Sequence, residues 1–244
     1  MTTYLDTIVA AHRRAGPRWG APRGFRRALR GAGGLAVIAE VKRRSPSKGA
    51  LAPDLDPATL AAAYARGGAA CLSVLTDGEY FGGSPADLRA ARGACGLPVL
   101  RKDFTVCEDD ICAARAMGAD AVLLIVAALS QDELVAFHAL ARALGLDALV
   151  EVHDEREVAR ALGAGADLIG VNQRDLHTFD VDPERAVRVA AAIPEGVVKV
   201  AESGIRGPAG AARLRAAGYH GVLVGEHLVT HPDPAGAVGE LRCS

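Results

Sequence analysis

The chain reads as one α/β domain over residues 1–244: a closed (β/α)8 barrel with a short helical N-terminal extension at residues 1–31. Three observations predict it. First, glycines that end a helix and open an apolar run recur at Gly67-Gly68-Ala69-Ala70-Cys71-Leu72, Gly118-Ala119-Asp120-Ala121-Val122-Leu123 and Gly165-Ala166-Asp167-Leu168-Ile169, with a weaker copy at Gly218–Leu223. Second, another series lies between these copies, at Gly96–Leu100, Gly145–Val150 and Gly196–Val200. Members of either series recur at roughly 50-residue intervals, so the repeating block holds two strands and two helices. Third, half of the residues are hydrophobic and only 4% aromatic, which suits aliphatic parallel strands covered by helices.

Taken in order, residues 1–31 predict short helices at Tyr4–Arg14 and Arg23–Arg30 around a Gly/Pro break, placed either as a plug in the barrel bottom or at the edge of the mouth. Val37–Lys42 is the first strand. The two glycine series then open the second to the eighth, giving eight βα units. An open doubly wound sheet is the rival architecture. It would carry a Gly-rich fingerprint after its first strand, where this chain has Lys42-Arg43-Arg44-Ser45-Pro46-Ser47-Lys48-Gly49.

The formal net charge of −1 argues against a nucleic-acid surface, and no apolar run reaches the ~18 residues needed to span a bilayer. The first residues lack the regions of a secretory signal, so a cytoplasmic protein is expected. Five scattered cysteines without a CxxC pair predict reduced thiols, and seven histidines without HxH or HExxH spacing predict no metal site.

Chemistry in such a barrel gathers at the C-terminal ends of the strands. Side chains alternate along a strand, so Ile38, Glu40 and Lys42 share one face, Leu100 shares a face with Lys102, and Leu149 with Glu151. Val198, Val200 and Glu202 align likewise, and Asn172 ends the sixth strand. Glu40, Lys42, Lys102, Glu151, Asn172 and Glu202 therefore face one mouth from five strands. A single strand-end charge is more often a structural ion pair; six together indicate an active site. Gly204 and Gly225, just past strands seven and eight, stand at the recurrent phosphate position of this fold, with a short helix start after strand eight. Ser45 and Ser47 offer hydroxyl donors, and Arg43, Arg44 and Lys48 could draw in an anion.

These segments resemble the indole-3-glycerol-phosphate synthase family over roughly residues 35–230. The resemblance is carried by Ile38–Gly49, Leu100–Phe104, Leu149–Asp154, Ile169–Leu176 and Val200–Ile205. It implies a cofactor-free carbon–carbon lyase of tryptophan biosynthesis. The substrate would be 1-(2-carboxyphenylamino)-1-deoxyribulose 5-phosphate, which loses CO2 and then water as a five-membered ring closes. By the resemblance Lys102 is the general acid, Lys42 meets the substrate carboxylate or moves a proton, and Glu151 is the leading base. Glu40 positions Lys42 or assists dehydration, Asn172 holds the aryl or hydroxyl part of the substrate, and Glu202 orients the lysines and hydroxyls. Ser203, Gly204 and Gly225 bind phosphate, Phe81 and Leu123 contact the aryl ring, with core packing the equal alternative for Leu123, and Ser45, Arg174 and Glu226 complete the binding set. A lysine crowded by a second one in a partly dry mouth predicts a depressed pKa.

Two departures from the family pattern stand out. Glu226-His227 replaces the family's frequent Ser-Ser, so only the backbone N–H of Glu226 is expected at the phosphate, its carboxylate turned away. The N-terminal segment is also shorter than the family's. A monomer with a small phosphorylated substrate is expected. The alternatives are a paralogue closing the same ring on a substituted anthranilate, a Schiff-base aldolase, and a non-catalytic phosphate-binding barrel.

Overall fold

A computed structural model describes residues 20–176 and 178–242. The predicted helix Tyr4–Arg14 lies outside the described residues. The strands are β1 Ala36–Val41, β2 Arg44–Ser45, β3 Gly49–Ala50, β4 Cys71–Leu75, β5 Val99–Lys102, β6 Ala121–Ile125, β7 Asp147–Val152, β8 Leu168–Asn172, β9 Val198–Glu202 and β10 Gly221–Val224. The helices are α1 Phe25–Arg30, α2 Pro57–Arg66, α3 Pro85–Ala94, α4 Glu108–Met117, α5 Gln131–Ala143, α6 Glu155–Gly163, α7 Arg185–Val189, α8 Pro208–Ala216, α9 Glu226–Val229 and α10 Pro234–Arg242.

Eight parallel strands close in the order β1-β10-β9-β8-β7-β6-β5-β4, a (β/α)8 TIM barrel. β2 and β3 form a small antiparallel hairpin in the loop after β1. Local sequence sets the punctuation. Asp56, Ser84, Ser130 and Asp154 cap the starts of α2, α3, α5 and α6 with their side chains. Gly118 closes α4 at φ 96°, a conformation that favours glycine.

Strand alternation divides the core in two. Ile38, Leu100, Leu149, Val198 and Val200 fill the barrel interior, while Val37, Leu72, Val99 and Val150 pack outward under the helices. On α1, Phe25 and Leu29 are one helical turn apart and join the interior cluster. That places Arg23–Arg30 at the barrel bottom, away from the mouth, and decides between the two sequence alternatives for this second helix alone.

The plug is fastened by a buried ionic node. Asp120, fully buried, accepts from the backbone N–H of Arg23 at 2.7 Å and of Val99 at 2.8 Å, and pairs with the buried Arg92. Arg23 in turn donates to the Cys95 and Leu97 carbonyls at 2.9 and 2.7 Å. Removing one partner of a buried pair strands the other, so Asp120→Ala should lose about 3–5 kcal/mol of stability. Urea unfolding would measure it, and a loss below about 1 kcal/mol, the scale of a surface pair, would show that Arg92 finds water instead.

Candidate active site

The mouth is a cavity of about 450 Å³ at the C-terminal ends of the strands. All six strand-end polar residues line it, together with Ser45, Phe81, Leu123, Arg174, Ser203, Gly204, Gly225 and Glu226.

On β1 the tip of Lys42 folds back onto Glu40, Nζ to Oε1 at 2.7 Å. Ser73 of β4 donates to the other carboxylate oxygen at 3.1 Å. Burial opposes the charge on Glu40, but Lys42 and then Lys102, with the two hydrogen bonds, hold its carboxyl below the usual range. Gly225 makes room for this pair: a Cβ there would stand 2.4 Å from Glu40 Oε1 and 3.0 Å from Lys42 Nζ.

Lys102 ends β5 with Nζ 3.8 Å from Glu151 Oε2. Burial works against its charge, yet Glu151, Glu202, Glu40 and Asp103 outweigh burial and hold its pKa above the ordinary lysine value. This reverses the expected depression. A second lysine alone would lower the pKa, whereas the fold surrounds Lys102 with carboxylates and ties Lys42 to Glu40.

Glu151 on β7 is buried, and its Oε1 accepts from Asn172 Nδ2 at 3.0 Å. Asn172 Oδ1 accepts from the Arg174 backbone N–H at 3.0 Å, which fixes the amide with its NH2 toward Glu151. Glu202 lies over Gly170, where a Cβ would come within 2.1 Å of its Oε1. Gly170 is the register partner of Glu151, so the missing side chain brings the two carboxyls together. Burial raises the Glu202 pKa well above the carboxylate range; the charge on Glu151 adds to this, and Lys102 offsets only part of it. Three carboxyls face two ammonium groups here, and Glu202 is the one pushed toward its protonated form.

Across the mouth Ser203 and Gly204 are successive left-handed residues, φ 67° and 72°, and Gln173 holds the turn by donating to the Ser203 carbonyl at 2.7 Å. The side chain of Arg174 donates to the Phe179 carbonyl at 2.7 Å and stiffens its own loop. Of the three cations in the first loop only Lys48 lines the cavity. Arg43 pairs with Asp87, and Arg44 donates to the Gly78 and Glu79 carbonyls. The Glu226 carboxylate is not free; Lys48 Nζ lies 4.0 Å away.

Ser73 is a site residue beyond those expected from the sequence, although it alternates with Cys71 and Leu75 on the inner face. So are His153, two residues beyond Glu151 on the same face, and Asp103 and Phe104 at the rim.

A family model described as "Indole-3-glycerol phosphate synthase" matches residues 11–241. A relative of that name from Nocardioides sp. is 58% identical over 86% of this chain and 81% of its own. Another from Parafrankia sp. is 52% identical over 97% of this chain and 88% of its own. A solved structure, thiamine phosphate pyrophosphorylase from Pyrococcus furiosus, covers 88% of this chain and 96% of its own at TM-score 0.66 and 19% identity, a likeness of fold alone.

Proposed function

Because the chain belongs to the indole-3-glycerol phosphate synthase family, we propose that it closes, decarboxylates and dehydrates 1-(2-carboxyphenylamino)-1-deoxyribulose 5-phosphate to indole-3-glycerol phosphate. The observation that carries the reading is the convergence of Lys42, Lys102, Glu40, Glu151, Asn172 and Glu202 on one cavity.

The ring carbon bearing the carboxylate attacks the ketone, and Lys102 protonates the oxygen as charge builds there. A raised lysine pKa does not prevent this, since a developing alkoxide is far more basic than an amine. Lys42, held by Glu40, meets the substrate carboxylate until CO2 departs. Glu151, fixed by Asn172, takes the proton from the methylene beside nitrogen. Glu202, pushed toward its protonated form, shares its proton with Glu151. Backbone N–H groups at Ser203, Gly204, Gly225 and Glu226 receive the phosphate, while Phe81 and Leu123 contact the aryl ring, with Ser45 and Arg174 at the rim. The protein acts as a cytoplasmic monomer.

Incubation with this substrate, following indole fluorescence and CO2 together, tests the assignment; folded protein that releases neither would sink it. Glu226→Ser frees Lys48, so KM should stay unchanged or fall less than about fivefold, the scale of a rim ion pair. A large rise in KM would give the carboxylate a positive role.

A further inference from the structure

His153 has no part in the chemistry above, yet it touches the proposed base. Its Nε2 lies 3.8 Å from Glu151 Oε1, is buried, and has no hydrogen-bond partner among the described residues. Its other nitrogen, Nδ1, is 3.0 Å from Glu157 Oε2, on the first turn of α6. That carboxylate oxygen also accepts from the His153 backbone N–H at 2.7 Å, and Asp154 caps the Glu157 N–H at 2.8 Å. Glu157 can only accept, so Nδ1 carries a proton and Nε2 is left facing Glu151. Exposure rises along the row: 1% for the Glu151 side chain, 15% for His153 and 18% for Glu157.

The proposed reaction needs such a row. Ring closure forms a carbon–carbon bond while the ketone oxygen takes one proton from Lys102. Loss of CO2 breaks the bond to the carboxylate and returns its electron pair to the ring. The resulting hydroxyl leaves as water, pushed by the ring nitrogen, and for that the same oxygen needs a second proton. Only afterwards does the methylene give its proton to Glu151. Two protons go in before one comes back, while substrate fills the mouth above Lys102.

We propose that His153, backed by Glu157, holds the second proton behind this site and lends it to Glu151, and through it to Lys102, between ring closure and dehydration. The imidazolium gives its Nε2 proton to Glu151 Oε1, and Glu151 passes a proton from Oε2 to Lys102 Nζ across 3.8 Å. Nδ1 keeps its proton on Glu157 throughout; the methylene proton that Glu151 later accepts passes back to Nε2 and restores the imidazolium, and Lys102 takes the one proton the reaction consumes from solvent when product leaves. The proposal rests on the reading of Lys102 and Glu151 given above, and His153 acts through Glu151 as a positioning and relay residue.

Charge around the ring suits the role. Burial opposes the imidazolium, but the Glu157 hydrogen bond and the Glu151 and Glu157 charges outweigh burial and the opposing Arg185, so the His153 pKa lies above its ordinary value. Lys102 and Glu202 stand behind Glu151. His153 is charged below that raised pKa, so dehydration should slow as pH rises through it.

Single-turnover kinetics with His153→Gln test the relay, with CO2 and indole followed separately. Glutamine can still donate a hydrogen bond to Glu151 but cannot pass a proton. The expected result is CO2 release at the wild-type rate with indole formation delayed about 10²-fold, in the range of general acid–base effects. Its alkaline decline should vanish, and Glu157→Gln, which keeps the acceptor but loses the charge, should move the wild-type decline to lower pH. Equal slowing of CO2 and indole would reduce His153 to packing, and wild-type rates for both would mean that protons enter through the mouth; either overturns the proposal. Glu151→Gln separates the premises: if it turns over normally, the assignment of Glu151 fails, whereas its inactivity beside a wild-type His153→Gln fails the relay alone.

Discussion

Lys102→Ala should abolish indole formation, lowering kcat by about 10³–10⁴, while the protein stays folded. The fold survives because the carboxyls that Lys102 faces sit beside a solvent-filled mouth and can take up protons in its place. Glu202 already leans that way. Lys102→Arg is the sharper variant. It restores the cation against Glu151, but guanidinium does not give up its proton in this range. An arginine variant near wild type, in the fluorescence assay with circular dichroism as the control, would show that Lys102 contributes charge alone.

Gly225→Ala should lower kcat/KM about 10²-fold with little change in stability. The backbone is no obstacle, since φ is −113° there. The obstacle is the added Cβ, 2.4 Å from Glu40 Oε1, on a carboxylate held from two sides by Lys42 and Ser73. The pair must shift, and Lys42 moves with it away from the place where a substrate carboxylate would sit. Steady-state kinetics beside thermal unfolding would check this. Wild-type kinetics would show that the Glu40–Lys42 geometry is not needed, and a large fall in thermal stability would show that the damage is to the barrel instead.

Much of the site was legible because period-two alternation is a local property. Once Val37–Lys42 is a strand, Glu40 and Lys42 must share a face with Ile38, whatever the rest of the chain does. The same holds for Lys102 with Leu100 and for Glu202 with Val200. The glycine series marked the helix-to-strand corners for an equally local reason, shown at Gly118 by its left-handed backbone. Arg43 and Arg44 show where such reading stops. Their charge suggested an anion, but a loop residue has no face fixed by alternation, and both are spent on neighbouring loops.

The sequence by itself determined the eight barrel strands, the inward face of those carrying Glu40 and Lys42, Lys102, Glu151 and Glu202, and most of the polar groups at one end, because these follow from periodicity and from where turns can form. Only the tertiary structure decided the rest: that α1 plugs the bottom through Phe25 and Leu29, that Ser73 reaches Glu40, and that Gly170 and Gly225 leave berths for carboxylates. It also decided that Lys102 is held above its ordinary pKa rather than below it, and that His153 stands behind Glu151. The physical reason is common to all of these. Apart from the local placing of His153, they depend on which strands become neighbours when the barrel closes, and on interactions that act across a few ångströms of space between residues distant in the chain, such as Ala36 and Gly221.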